Sequence, residues 1–135
     1  MRSFLDTNIL VYADASDEPR KQTAAIQLIS RLRKEGTGVL SIQVLQEFAQ
    51  VALRKLMLPA PLVRQRLDFY ARFDVVFTTP ALINAAVDLH TTHSVSFYDA
   101  LIVSAAVAGR CSILFSEDFQ TGRSFDGLKI SNPLA

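Results

Sequence analysis

Four acidic residues of the sequence stand beside apolar patterns instead of in charged, solvent-facing ones. Asp6 and Asp118 each follow a short apolar run, so each is expected at the end of a buried strand. Glu47 lies in a helical apolar pattern, and no Lys or Arg stands three or four residues away to pair with it. Asp99 shares a helical face with apolar residues. The ordinary alternatives are turn roles for Asp6 and Asp118 and a capping-box role with Ser96 for Asp99.

Asp6 and Asp118 are expected at one edge of a parallel sheet, and Glu47 lies within two turns of the start of its helix. Asp99 is expected near the same edge if its helix leans over it. The carboxyl ends of parallel strands, and the starts of the helices that follow them, lie along one edge. Carboxylates that share a site repel one another, so they indicate a bound cation or a raised pKa. Oxygen ligands without His or Cys favour Mg²⁺ or Mn²⁺. Such an ion can activate water and stabilise the oxygens of a phosphoryl displacement.

The elements that position these acids alternate between strands and helices. Strands are expected before Asp6, around 39–40, at 74–78, at 112–115 and near 128–130. Helices are expected just after Thr7 and at 20–35, 41–56, 62–73, 80–93 and 97–109, with Ser41 and Ser96 as caps. Short apolar strands that alternate with helices indicate an α/β fold with a central parallel sheet covered on both faces.

Length and composition indicate one domain, over residues 1–135. No apolar run is long enough for a bilayer span, and Asp6 interrupts any signal-like segment, so a cytoplasmic protein is expected. The single cysteine, Cys111, excludes an intramolecular disulfide and a cysteine-based zinc site. Fourteen Lys and Arg against thirteen Asp and Glu give no global field for nucleic acid, so binding of a polyanion must depend on local clusters.

Four stretches of the chain also form a pattern in their order and spacing. They are Phe4–Leu10 (FLDTNIL), a mid-chain Glu47, Tyr98–Ile102 (YDALI) and Ser116–Phe119 (SEDF). Together they resemble the acidic motifs of PIN domains, and most closely those of VapC-type toxins from toxin–antitoxin pairs. The resemblance implies a three-layer α/β/α fold and a metal-dependent endoribonuclease. It also implies a dimer that a small antitoxin protein inhibits.

The same resemblance implies a role for each matching residue. Asn8 and Ser116 would orient ligands or metal-bound water, and Ser116 stands where Thr is also frequent. Glu117 is left open between the rim of the site and solvent. The reaction implied is hydrolysis of RNA that leaves a 5′-phosphate and a 3′-hydroxyl. One or two Mg²⁺ or Mn²⁺ ions would be held by an acidic quartet of Asp6, Glu47, Asp99 and Asp118.

Two other functions compete with this interpretation. A signalling receiver domain has similar length and clustered acids, but it needs an Asp at the end of the third strand and a Lys at the end of the fifth. Thr78 and Ser131 stand there instead. A catalytically silent PIN-like scaffold that binds RNA or protein is the stronger alternative. Silent members typically lose acids, and none of the four is missing here.

Two further expectations concern partners and histidines. The proline-bounded segment 56–73 is crowded with apolar residues, which predicts an exposed patch and a symmetric homodimer. The alternative is that these residues fill the core of the monomer. A second apolar groove is expected to accept an amphipathic segment of the antitoxin. His90 and His93 end a helix, where positive charge is favourable, and structural roles are expected for both.

Overall fold

Strands and helices alternate along the whole chain in the computed structural model, which describes residues Met1–Ala135. The strands are β1 (Ser3–Leu5), β2 (Gly38–Ser41), β3 (Asp74–Val76), β4 (Ile113–Phe115), β5 (Ser124–Phe125) and β6 (Leu128–Ser131). The helices are α1 (Thr7–Ala13), α2 (Pro19–Glu35), α3 (Ile42–Arg54), α4 (Ala60–Tyr70), α5 (Pro80–His93) and α6 (Phe97–Ala108).

The strands form one sheet in the order β3-β2-β1-β4-β6-β5. All neighbouring pairs are parallel except β5 with β6. Strand β1 lies between β2 and β4, and Leu5 is in register with Phe115. The residues that follow these two strands, Asp6 and Ser116, therefore emerge side by side at the carboxyl edge of the sheet. The predicted α/β fold with a mostly parallel central sheet is confirmed.

Burial on both faces explains why the central strands are almost purely apolar. Phe4, Leu5, Leu40 and Leu114 have no exposed surface, as expected for parallel strands that are covered on each side. The helices form two packed groups, α1 to α4 and the pair α5 and α6. Helix α6 is buried along seven consecutive residues, 100–106, which is why its sequence is apolar all round.

The predicted helix boundaries agree closely with the structure. Ser41 Oγ accepts a hydrogen bond from the Val44 N–H at 3.3 Å and caps α3 as predicted. Gly36 ends α2 in the left-handed conformation, with φ 73°. At the start of α1, however, Asp6 is the capping residue and Thr7 is the first helical residue. The turn role considered for Asp6 is therefore real, and it coexists with the site geometry described below.

The sequence interpretation missed strand β5. Its turn is formed by Asp126 and Gly127, with φ 49° and 85°, the left-handed pair that a two-residue hairpin requires. An Asp-Gly pair between Phe125 and Leu128 is the sequence signal for this hairpin. The strand is only two residues long, so it shows no alternation of its own.

The prediction of an exposed apolar patch at 56–73 is wrong. Val63, Tyr70 and Phe73 are buried in the core of the monomer, and the Tyr70 ring meets Phe48 edge-on at 5.3 Å between centroids. Met57 is the one large apolar side chain of the segment that is mostly exposed, at 77%. The patch therefore gives no support to a dimer through this segment.

Two other expectations concern the surface of the fold. His90 Nδ1 hydrogen-bonds to the Val95 carbonyl at 2.6 Å, and the His93 ring packs against Phe125 with centroids 5.2 Å apart. Both histidines therefore have the structural roles that were predicted. None of the helices is both long enough and apolar enough to cross a membrane.

Candidate functional site

Asp6 is the most buried acid of the molecule, with 4% of its surface exposed. Its Oδ1 accepts a hydrogen bond from the Thr7 N–H at 2.7 Å, and its Oδ2 accepts one from the Ser116 hydroxyl at 2.7 Å. The Asp6 N–H donates to the Phe115 carbonyl at 3.0 Å. Backbone and side chain are thus both fixed between the ends of β1 and β4.

The surroundings of Asp6 oppose its ionisation. Burial raises its pKa from 3.8 to about 7, against the effect of the hydrogen bonds from Ser116 and Thr7. The negative charges of Asp118 and Glu47 raise this pKa further. An acid that is buried and faces two other carboxylates needs a compensating positive charge to be fully ionised.

Ser116 connects Asp6 to Asp118. The Ser116 side chain is completely buried, and its hydroxyl donates to Asp6 while accepting from the Asp118 N–H at 3.0 Å. One hydroxyl therefore sets the position of the Asp6 carboxylate and of the chain that carries Asp118. This contact supports the predicted role of Ser116 in orienting an acid.

Glu47 lies on α3 and contacts Thr7, the residue that follows Asp6. Its Oε1 accepts a hydrogen bond from the Thr7 hydroxyl at 2.6 Å, which joins α3 to α1. Its Oε2 accepts one from Gln43 Nε2 at 3.3 Å, one helical turn earlier. The sequence interpretation considered only Lys and Arg as partners for Glu47 and so overlooked Gln43.

Asp99 lies in the first turn of α6, where its N–H donates to the Ser96 hydroxyl at 3.2 Å. The predicted cap is therefore present. Burial first, and then the charges of Asp118 and Glu47, raise the pKa of the Asp99 carboxyl group above 3.8, against a hydrogen bond with Ser96. Glu47 and Asp118 therefore raise the pKa of both Asp6 and Asp99, which relates the four predicted acids to one another through their charges.

The acid cluster, formed by these four residues, matches a hard divalent cation in chemistry and charge. It offers carboxylate oxygens, the ligands that Mg²⁺ and Mn²⁺ prefer. No group of three or more His, Cys, Asp or Glu side chains is already arranged as a metal site. Asp118 is exposed, so its side chain has room to turn towards an ion. The oxygen donors are of the type that such a cation takes, but the side chains as they stand do not form its ligand shell.

Asn8 contributes an unused donor beside the acid cluster. Its Oδ1 accepts a hydrogen bond from the Glu117 N–H at 3.4 Å, and its buried Nδ2 has no partner. Buried polar groups are nearly always satisfied, so an orphaned donor at this position is unusual. The predicted supporting role of Asn8 is consistent with this free donor.

Glu117 is held by two side chains that the sequence interpretation did not connect to the site. Its carboxylate accepts hydrogen bonds from the Tyr12 hydroxyl at 2.7 Å and from Lys21 Nζ at 2.6 Å. Burial raises the pKa of Glu117, but these two hydrogen bonds outweigh it and bring the pKa below its usual range. Glu117 is therefore a charged, paired residue, in contrast to Asp6.

An open cleft of about 730 Å³ has two members of the acid cluster, Glu47 and Asp118, in its lining. The other polar residues that line it are Thr7, Asn8, Tyr12, Asp17, Glu18, Gln46, Gln50, Lys55 and Glu117. The apolar ones are Val11, Ala15, Val51 and Leu56. A polymer that entered this cleft would pass the acids.

Sequence reasoning missed the contacts that Thr7, Gln43, Tyr12 and Lys21 make with the acids of the site. A helical signal existed for Gln43, because Gln and an acid four residues apart are neighbours on a helix. The contacts of Thr7 with Glu47 and of Lys21 with Glu117 join residues that are 40 and 96 positions apart. No local pattern announces contacts of that kind.

A protein-family model described as PIN domain matches residues 3–123. No significant match exists among curated protein sequences. Solved structures do resemble the chain. VapC20 of Mycobacterium tuberculosis, described as a sarcin-ricin loop cleaving toxin, is 20% identical with a TM-score of 0.67, over 86% of this chain and 91% of that one.

Two complexes superpose over almost their full length. A toxin–antitoxin complex from Klebsiella pneumoniae is 18% identical with a TM-score of 0.72, over 97% of both chains. VapBC2 from Rickettsia felis, bound to a DNA fragment from its promoter, is 23% identical with a TM-score of 0.71, over 98% of both chains. At these identities the similarity shows a shared fold.

Proposed function

The chain belongs to the PIN domain family, and on that premise we propose that it is a divalent-metal-dependent endoribonuclease and the toxin of a type II toxin–antitoxin pair. The observation that carries the proposal is the acid cluster. Asp6 is buried and accepts a hydrogen bond from Ser116. The negative charges of Glu47 and Asp118 raise the pKa of both Asp6 and Asp99. Asp6 also caps α1 and Glu47 joins α3 to α1, but neither role requires a group of carboxylates in which Glu47 and Asp118 raise the pKa of Asp6 and Asp99.

In this proposal Asp6, Asp99 and Asp118 hold Mg²⁺ or Mn²⁺, and Glu47 completes the shell or takes a proton. When bound, the ion supplies Lewis-acid stabilisation of charge on the phosphate and lowers the pKa of water. Ser116 and Thr7 keep the Asp6 carboxylate turned towards the cluster. Thr7 and Gln43 fix the Glu47 carboxylate, so that Glu47 can accept the proton of the attacking water at Oε2.

The remaining polar groups prepare the phosphate position. Asn8 Nδ2, the buried donor without a partner, is suited to a phosphate oxygen or to an ordered water. Hydrolysis of the phosphodiester then leaves a 5′-phosphate and a 3′-hydroxyl. RNA is the proposed substrate. Because the cleft is open, an internal phosphodiester of the RNA can enter it, and cleavage is proposed to be endonucleolytic.

The proposal extends to partners and organisation. Two of the structural neighbours are toxin–antitoxin assemblies, which supports a small antitoxin protein as partner. We also propose a homodimer. Ile83 and Val87 on α5 remain exposed and are candidates for its interface. The whole of 1–135 is proposed to be a single nuclease domain that acts on RNA in the cytoplasm.

The proposal is tested by incubating purified protein with assorted RNAs in the presence of Mg²⁺ or Mn²⁺, and in EDTA. Internal cleavage that requires the ion is the expected result. Asp118→Asn should remove it, and Asp88→Asn, a change of an exposed acid on α5, should leave it intact. Intact RNA under every condition, with protein that is folded by circular dichroism, would support the silent-scaffold alternative.

A further inference from the structure

Two aromatic side chains of the protein are largely exposed, Phe77 at 69% and Tyr98 at 66%. A single exposed apolar side chain is ordinary and needs no explanation. Tyr98 differs in its position, because it directly precedes Asp99 in the first turn of α6. Phe77 lies by Val107 and Ala108, at the opposite end of that helix.

Gln43 fixes the main chain of Tyr98 to the acid cluster. Its Nε2 donates to the Glu47 Oε2 and to the Tyr98 carbonyl, both at 3.3 Å. The Tyr98 carbonyl therefore lies within two hydrogen-bond lengths of the Glu47 carboxylate. This link between α3 and α6 holds the main chain that carries the exposed ring close to Glu47.

The Tyr98 ring is also unoccupied, in contrast to the other tyrosine of the site. The hydroxyl of Tyr12 donates to Glu117, and Lys21 Nζ lies 4.9 Å from the centroid of the Tyr12 ring. The aromatic ring that Tyr98 meets is that of Phe97, edge to face with centroids 5.5 Å apart, and the Tyr98 hydroxyl makes no hydrogen bond. Phe97 thus supports the ring on one side and leaves most of it open.

We propose that Tyr98 is a stacking platform for an unpaired RNA base next to the phosphate that is cut. The inference rests on the proposed ribonuclease function and assigns to it one residue that contacts the substrate. An aromatic ring stacks on any base, but a base inside a duplex is not available to it. The chain carries a net charge of only +1, so attraction of RNA must come from local basic side chains, and stacking adds affinity that does not depend on charge.

The test measures RNA affinity by fluorescence anisotropy, with Ca²⁺ as the ion, since an all-oxygen site accepts it. The probe is a fluorescein-labelled single strand of mixed sequence, compared with an abasic ribose-phosphate oligomer of equal length. Tyr98→Ala should weaken binding of the single strand by roughly fivefold to 150-fold, which corresponds to about 1–3 kcal/mol. Binding of the abasic oligomer should not change.

Matched variants separate stacking from apolar packing. Tyr98→Phe keeps the ring and should keep the affinity, whereas Tyr98→Leu should behave like Tyr98→Ala. Phe77→Ala removes an equally exposed ring away from the acids and should have no effect. The same strand annealed to its complement should bind equally well to wild type and to Tyr98→Ala.

Three results would overturn the inference. They are wild-type affinity in Tyr98→Ala, an equal loss of affinity for the abasic oligomer, and a wild-type protein that binds the single strand no better than the abasic one. The proposed function fails separately. If no RNA is cut with Mn²⁺ and the Tyr98 effects persist, the inference holds for a binding protein. If RNA is cut and Tyr98→Ala changes neither Kd nor KM, the inference alone is wrong.

Discussion

Replacing Asp6 with Asn is expected to stabilise the metal-free protein at alkaline pH. Asp6 is 4% exposed, and its pKa is raised from 3.8 to about 7, first by burial and then by neighbouring acids. At about pH 8 wild type must therefore keep a buried charge that the unfolded chain would solvate. The amide of Asn carries no charge and nearly preserves the volume of the side chain.

The sign and size of the effect follow from linkage between proton binding and folding. Because the pKa of Asp6 is higher in the folded state, the unfolded state loses its proton first as pH rises. The free energy of unfolding then falls between about pH 4 and about pH 7 and levels off above that range. The difference between the two pKa values corresponds to a decrease of at most about 4 kcal/mol in the free energy of unfolding. In Asp6→Asn, a less favourable hydrogen bond to Ser116 offsets about 1 kcal/mol of the gain in stability.

Urea denaturation in EDTA measures this difference. Asp6→Asn should exceed wild type by about 2–3 kcal/mol at about pH 8, and its advantage should shrink by about 3 kcal/mol on going to about pH 5. Asp88→Asn, a change of an exposed acid, should stay within about 0.5 kcal/mol of wild type at both pH values. A variant that is less stable than wild type at about pH 8, or an advantage that is independent of pH, would refute the reasoning.

Three other outcomes are expected. Asp99→Asn should fold and lower metal-dependent RNA cleavage by more than roughly 100-fold, which is the largest loss typical of residues that only support a metal's ligands. The control His93→Ala, which alters a packing contact with Phe125, should cleave RNA nearly as wild type does. Equal cleavage rates for Asp99→Asn and wild type would contradict the assignment. Millimolar Mn²⁺ should raise the melting temperature of wild type, because an ion at about 100 times its Kd adds about 2.7 kcal/mol to the free energy of unfolding. It should barely change the melting temperature of Asp6→Ala/Asp99→Ala, and equal shifts in the two proteins would place the ion elsewhere. Burial raises the pKa of Cys111 to about 11, so its alkylation by iodoacetamide at about pH 8 should be roughly 100-fold slower in the folded protein than in urea, and similar rates would show that the thiol is open to solvent.

The meeting of the acids could be predicted from sequence because it depends on a general property of parallel sheets. Once β1 and β4 are recognised as strands, Asp6 and Ser116 must emerge at one edge, and the register of Leu5 with Phe115 makes them neighbours. The positions of Asp6 and Ser116 could therefore be predicted from the types of the elements and the direction of the chain alone. The position of Asp99 did not follow from this property alone, because α6 follows helix α5 and not a strand.

Contacts that depend on how helices are rotated against one another could not be predicted. The bond from Gln43 to the Tyr98 carbonyl requires the packing of α3 against the start of α6. The burial of Val63, Tyr70 and Phe73 likewise depends on α3 and on the core beneath α4. A crowded apolar segment has the same appearance in sequence whether it faces the core or a partner.

The most direct test of the central claim is anomalous diffraction from a crystal of the protein that contains Mn²⁺. The four acids are proposed to hold the ion, so a manganese peak is expected between the carboxylates of Asp6, Asp99 and Asp118, with the side chain of Asp118 turned towards it. The same peak should be absent from crystals of Asp6→Ala/Asp99→Ala. A manganese peak at any other position, with none beside Asp6, would contradict the account.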